Sequence, residues 1–183
     1  MIGMSVEEIK KEFEAAINRI MARKWGVEEP TRWLDVADGY INYYTKVKDK
    51  IIEAIGGYEN IERFREYPAT PTETYAKFYI TVHKPVKLCF QMENNYALKI
   101  DDKAVPLFID ERAFTPLGDV RIWEFREPTE KMEQFNKDLK RGKKVCLSIE
   151  REFFVQIDNP ATYSRIEGKM ISKPPRLIIG IYD

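Results

Sequence analysis

The sequence predicts an α+β fold: N-terminal helices packed on one face of a mainly antiparallel twisted sheet of six to eight strands, with one short helix inserted late in the sheet. Three observations carry this. Apolar residues recur at three- and four-residue steps before Tyr67 and at two-residue steps after Thr72. The change falls at Tyr67-Pro68-Ala69-Thr70-Pro71-Thr72, where two prolines fix extended backbone and cannot continue a helix. The alternating runs that follow are short and joined by tight turns, too close together for the crossovers that parallel strands need. Helices followed by strands is the α+β order. Residues 1–67 therefore read as a helical subdomain and residues 73–183 as the sheet region, together one compact domain.

Ser5 and Glu8 have the spacing of a capping box, in which side chains satisfy the backbone N–H groups that a first turn leaves unpaired. Ile9, Phe13, Ala16, Ile17, Ile20 and Met21 then form one stripe, and Gly26 suits its stop. A second helix is expected over 31–55, after Pro30 and before Gly56-Gly57, with Trp33, Ala37, Tyr40, Tyr44, Val47 and Ile51 on its apolar side. A short turn is expected near residues 61–64. Strands are then expected around Phe78–Val82, Leu88–Met92, Tyr96–Ile100, Ala104–Ile109 and Val120–Arg126. Pro128-Thr129-Glu130 opens a helix over 129–141, stopped by Gly142. Lys144–Asp158 reads as one long strand, 159–175 as an irregular loop, and Arg176–Tyr182 as a final strand. The continuous apolar run of that last strand suggests a central position covered on both faces.

Thirty basic and thirty acidic side chains cancel, which argues against a dedicated polyanion coat. The balance is uneven: residues 137–183 carry ten basic and six acidic groups. No apolar leader or membrane-length run is present, so a cytoplasmic protein with no membrane association is expected. Two cysteines are too few for a disulfide scaffold, and thiols are the cytosolic default. A third of the chain is charged and glutamine is scarce, a heat-adapted bias under which a Cys89–Cys146 bridge is conceivable.

The chemistry-bearing motifs are mostly missing. With one histidine, two cysteines and no CxxC or HxxxH, no metal site is expected; Asp35, Asp38 and Asn42 share a helix face that solvation explains. There is no Gly-rich phosphate loop, and no cofactor is implied. A nucleophile–base pair would have to use Cys89 and His83, both on the more polar sides of their strands. Arg151 interrupts the apolar side of the run Val145–Ile157, and three readings stay open. A bulge turns it to water; it forms a buried pair with Glu124; or it lines a pocket and binds an anionic ligand together with Glu124. Lys140, Arg141, Lys143 and Lys144 suit a helix C-terminus, and they are also the candidate phosphate contacts.

The function expected from this is a non-catalytic binding or interaction module, with an unknown protein partner or a second copy of itself. The alternatives are an enzyme with a sheet–helix pocket for a small anionic substrate and a nucleic-acid-binding accessory protein using residues 137–144. An enzyme would show a deep pocket in which several of His83, Cys89, Arg151 and Glu124 converge. A nucleic-acid binder would show exposed aromatics beside basic groups.

Overall fold

The capping box forms as its spacing implies, with the Glu8 N–H donating to Ser5 Oγ at 3.1 Å. A computed structural model describes residues 5–24, 33–109, 114–124, 129–164 and 166–182. Helix α1 spans Val6–Lys24 and α2 spans Trp33–Ala54. Gly26 lies outside the described residues. α2 ends where Gly57 N–H donates to Ile52 O at 2.8 Å and Gly56 N–H to Glu53 O at 3.2 Å. Gly56 has φ +105°, the backbone that glycine adopts without a Cβ penalty.

Eleven strands follow among the described residues: β1 Ile61–Tyr67, β2 Tyr75–Val82, β3 Val86–Glu93, β4 Ala97–Ile100, β5 Lys103–Pro106, β6 Asp119–Glu124, β7 Val145–Ile149, β8 Glu152–Asp158, β9 Ala161–Ser164, β10 Lys169–Ser172 and β11 Arg176–Ile181. Helix α3, Thr129–Lys140, lies between β6 and β7. One sheet has the order β1-β2-β8-β11-β6, a second β5-β4-β3-β7, and β9 and β10 form a hairpin. Pairing is antiparallel except between β6 and β11. The fold is α+β. β11 is paired on both edges, by β8 and β6, but it stands one place from the sheet edge. Its outer side, with Arg176 exposed and Ile178 half-buried, is not covered as its apolar run suggested.

Three segments differ from the sequence reading. Residues 61–64 begin strand β1, whose residues are nearly all exposed as those of an edge strand, so no apolar alternation marks it. The run 144–158 is two strands in different sheets, broken at Glu150-Arg151. Alternation survives the break because Ile149 and Phe153 both enter the same core. Residues 161–172 form a hairpin where an irregular loop was expected.

The two sheets and α2 enclose the main core. From the five-stranded sheet come Phe78, Ile80, Phe153, Val155, Leu177 and Ile179; from the other come Leu88, Phe90, Leu98, Val105 and Leu147. Three tyrosines within little more than one turn of α2 tie these layers together. Tyr40 donates to Ile157 O at 3.1 Å, Tyr43 to Pro106 O at 2.6 Å and Tyr44 to Glu66 Oε2 at 2.8 Å. Left unpaired, each buried hydroxyl would cost about 1–3 kcal/mol. α1 covers the opposite side of the second sheet, where Ile9 and Phe13 meet Ala97, Ala104 and Phe108. The two N-terminal helices thus lie in different layers.

Polar side chains close the exposed ends of this framework. Asn136 of α3 acts on the free edge of β6: its Oδ1 accepts from Ile122 N–H and its Nδ2 donates to Ile122 O, both at 2.9 Å. The amide stands in for a neighbouring strand on an edge that would otherwise present unpaired backbone. Buried Asn159 donates to Glu73 O at 2.9 Å and accepts from Ala161 N–H at 3.0 Å, holding the double-proline segment against the end of β8. Cys89 and Cys146 lie directly opposite on β3 and β7, with Cα atoms 4.0 Å apart, and form a disulfide. The thiols expected from sequence are replaced by a bond that register makes short to close.

Candidate functional site

The candidates named from sequence do not converge. His83 follows β2 and lines a cavity of about 400 Å³ with Asn60, Lys84 and Pro85. The polar side of that cavity is occupied structurally, since Asn60 Oδ1 accepts from Lys84 N–H at 2.8 Å and Nδ2 donates to Ile55 O at 2.8 Å. Cys89 is on the outer side of the second sheet and, bonded to Cys146, presents no thiol. Arg151 is exposed at the corner where the chain leaves one sheet for the other; its carbonyl accepts from Val82 N–H at 2.8 Å. Corners of this kind are made by bends in strands that switch sheets. Its proposed partner Glu124 is on β6, two strands away across β11 from β8; the Glu124 side chain lies outside the described residues.

The basic segment is partly neutralised. Lys140 Nζ is 3.4 Å from Asp119 Oδ1 and Lys143 Nζ is 3.7 Å from Asp138 Oδ1, while Arg141 and Lys144 are exposed. Lys140 and Asp119 also border a half-open cleft of about 510 Å³ between α1 and the start of β6, floored by Phe13, Met92 and Leu117. Its acid and base satisfy each other, and neither His83 nor Arg151 reaches it.

A different set of side chains does gather. The residues of β2 that point away from the core are Tyr75, Lys77, Tyr79 and Thr81, because Ala76, Phe78 and Ile80 point into it. Register extends this outer face across the sheet. Arg65 of β1, Tyr79, Phe154 of β8 and Gly180 of β11 form one row, and Tyr67, Lys77, Gln156 and Ile178 form the next. No described residue of a helix or of the second sheet contributes to the rows.

The first row is an aromatic platform. The Tyr79 and Phe154 ring centroids are 5.7 Å apart, Phe154 and Tyr182 5.6 Å, and Tyr79 and Tyr182 6.3 Å with planes inclined by only 20°. Gly180 makes this possible. A Cβ there would stand 2.5 Å from Phe154 Cζ and 2.8 Å from Cδ1, inside any real contact, so only glycine lets the ring lie over β11.

Cations interleave with the rings. The Arg65 guanidinium is 4.4 Å from the Tyr79 ring centroid, and Lys77 Nζ is 5.8, 5.3 and 5.1 Å from the rings of Tyr67, Tyr75 and Tyr79. A hydrogen bond with Tyr79 is the chief cause that raises the Lys77 pKa, so its ammonium stays charged. Burial raises the Tyr182 phenol, which stays neutral. Arg65, Arg121 and Arg176 have carboxylates within reach at 3.7, 3.4 and 2.8 Å, in Glu152, Asp119 and Asp158. Among the described residues, Lys77 and Arg63 have no carboxylate at ion-pair distance, which leaves this face with positive charge in an otherwise neutral chain.

In the sequence Lys77, Tyr79 and Thr81 show only as the residues that alternate with Phe78, Ile80 and Val82. Their partners come from strands distant in sequence. The one available signal was composition: tyrosines and a lysine alternate where serine, threonine and glutamate would serve a solvated face equally well.

No helix among the described residues is long and apolar enough to cross a membrane. No protein-family model, no curated protein and no solved structure matches this chain.

Proposed function

We propose that the protein is a non-catalytic binding module whose ligand lies on the outer face of the five-stranded sheet. One observation carries the reading: Tyr79 and Phe154, both half-buried, and the exposed Tyr182 form one platform on the outer sheet face, flanked by Arg65 and Lys77. Rings of this size are costly to leave wet, and tyrosine and arginine are the side chains most enriched where binding energy concentrates. The ligand class is one that offers flat or apolar surface to the rings and anionic or acceptor groups to the cations. The face offers stacking and positive charge, while Cys89 is bonded to Cys146 and His83 lines a separate cavity. A cytoplasmic location in a heat-adapted cell accords with the charge-rich, glutamine-poor composition and with a retained disulfide.

The test is a titration of isotope-labelled protein with four probes: a single-stranded oligonucleotide, a sulfated oligosaccharide, anionic lipid vesicles and an acidic peptide. Amide shifts clustered on β1, β2, β8 and β11 with at least one probe are expected. Shifts confined to the cleft beside α1 or to residues 140–144, or none with any probe, overturn the proposal.

A further inference from the structure

Resting on that reading of the sheet face, we infer that its ligand is single-stranded nucleic acid, with bases stacked on Tyr79, Phe154 and Tyr182 and phosphates beside Arg63, Arg65 and Lys77. Three features select this occupant. The rings come from the adjacent strands β2 and β8 and from Tyr182, just past the end of β11, and lie close enough to act as one surface, with centroids 5.6–6.3 Å apart. A base offers a π-face whatever its identity, so such a surface binds bases without reading sequence. Bases stacked inside a duplex are not available to it, which makes the strand single.

The charge pattern is the second feature. Arg63 and Arg65 occupy the outer face of β1, next to the rings, and Lys77 stands one row along. Lys77 and Arg63 are the charges on this face that no carboxylate balances among the described residues. The Arg65 guanidinium lies 4.4 Å from the Tyr79 ring centroid, so a base that stacks on Tyr79 takes its place while the guanidinium turns to the adjoining phosphate. A second copy of this chain is the poorer occupant: a two-fold interface on this face would set unbalanced positive charge against itself.

Size is the third. From β1 to β11 the face is about 14 Å wide, and from Tyr75 to Tyr79 it is about 13 Å long, at ordinary strand spacing and rise. That accommodates about two or three nucleotides. Few phosphates are then contacted, so salt dependence should be shallow. Two or three contacts give a slope of about −1.4 to −2.1 in log K against log salt for a single strand.

Fluorescence anisotropy of a labelled twelve-nucleotide uridine strand tests the inference, with a duplex of equal length and an abasic sugar–phosphate strand as comparisons. The duplex and the abasic strand should bind at least tenfold more weakly than the uridine strand. Tyr79→Ala and Phe154→Ala should each weaken binding about tenfold or more, whereas Lys143→Gln with Lys144→Gln should change it less than twofold. Lys77→Gln keeps the rings and should flatten the salt slope, so the inference stays testable even if a ring variant does not fold. Equal affinity for the abasic strand, or loss only in the Lys143/Lys144 variant, overturns it. If the oligonucleotide does not bind while another probe shifts the sheet face, nucleic acid is excluded and the binding face stands. If no probe shifts that face, both readings fall.

Discussion

Gly180→Ala is the most informative single change, because it adds one methyl group and acts through one ring. The new Cβ would approach Phe154 Cζ to 2.5 Å and Cδ1 to 2.8 Å. Carbon atoms pack at about 3.5–4.0 Å, so the ring must retreat by about 1 Å or more. The core is behind the sheet and full, with Val155 and Ile179 wholly buried, so the ring swings toward solvent. Exposing a third of a phenylalanine, about 50–80 Å², costs about 1–2 kcal/mol. Loosened contacts with Tyr79 and Tyr182 add about 0.5–1.5 kcal/mol. Alanine recovers about 0.5–1 kcal/mol relative to glycine in a strand. The net is a loss of about 1–2.5 kcal/mol, at about 2–4 °C of melting temperature per kcal/mol for a chain of this size. Thermal unfolding of a double-mutant cycle with Phe154→Ala reads it. In the Phe154→Ala background the same Gly180→Ala change should cost nothing or stabilise. An equal cost in both backgrounds would refute the proposed role of the ring.

Three further outcomes follow from the framework. Asn136→Leu removes both partners of the buried Ile122 peptide groups, at about 2–4 kcal/mol; a urea midpoint within error of the parent would contradict the edge-closing role. Tyr40, Tyr43 and Tyr44 have pKa values raised above 10.0, chiefly by burial. Their neutral forms stabilise the fold fully below the unfolded value and less as pH climbs past it, by up to about 4 kcal/mol per pH unit for three groups. Stability should fall steeply above about pH 10, with the phenolate absorbance of these three tyrosines appearing only on unfolding; their ionisation in the folded protein would oppose this. Reducing Cys89–Cys146, which closes a loop of sequence separation 57, should cost up to about 4 kcal/mol by loop entropy. An unchanged denaturation midpoint in reductant would argue against the bond.

How much of this was legible depends on which interactions are local. α1 and α3 declare themselves through capping and stripe residues a turn apart, and the start of α1 and both ends of α3 match the structure closely. The period change at Pro68 and Pro71 marks where apolar alternation begins, one strand after the chain has entered the sheet. β1 was hidden because Arg63, Arg65 and Glu66 give an exposed edge strand no apolar side. The corner at Glu150-Arg151 was hidden for the opposite reason: apolar residues on both sides belong to one core, so alternation runs through the bend. Arg151 therefore raised a question that its exposure answers, with the bend turning it to water. The platform was invisible since Tyr79, Phe154, Gly180 and Tyr182 meet only through pairings of β2, β8 and β11 that are non-consecutive in the chain.

The central claim, that the outer sheet face is where this protein binds, is read most directly by hydroxyl-radical oxidation of its aromatic side chains with and without the bound uridine strand. Tyr67, Tyr75, Tyr79, Phe154 and Tyr182 should be protected several-fold, while Tyr58, exposed at the far end of α2, should oxidise at an unchanged rate. Protection of Tyr58 or of Met21 on α1, with the five face residues unaffected, would contradict it.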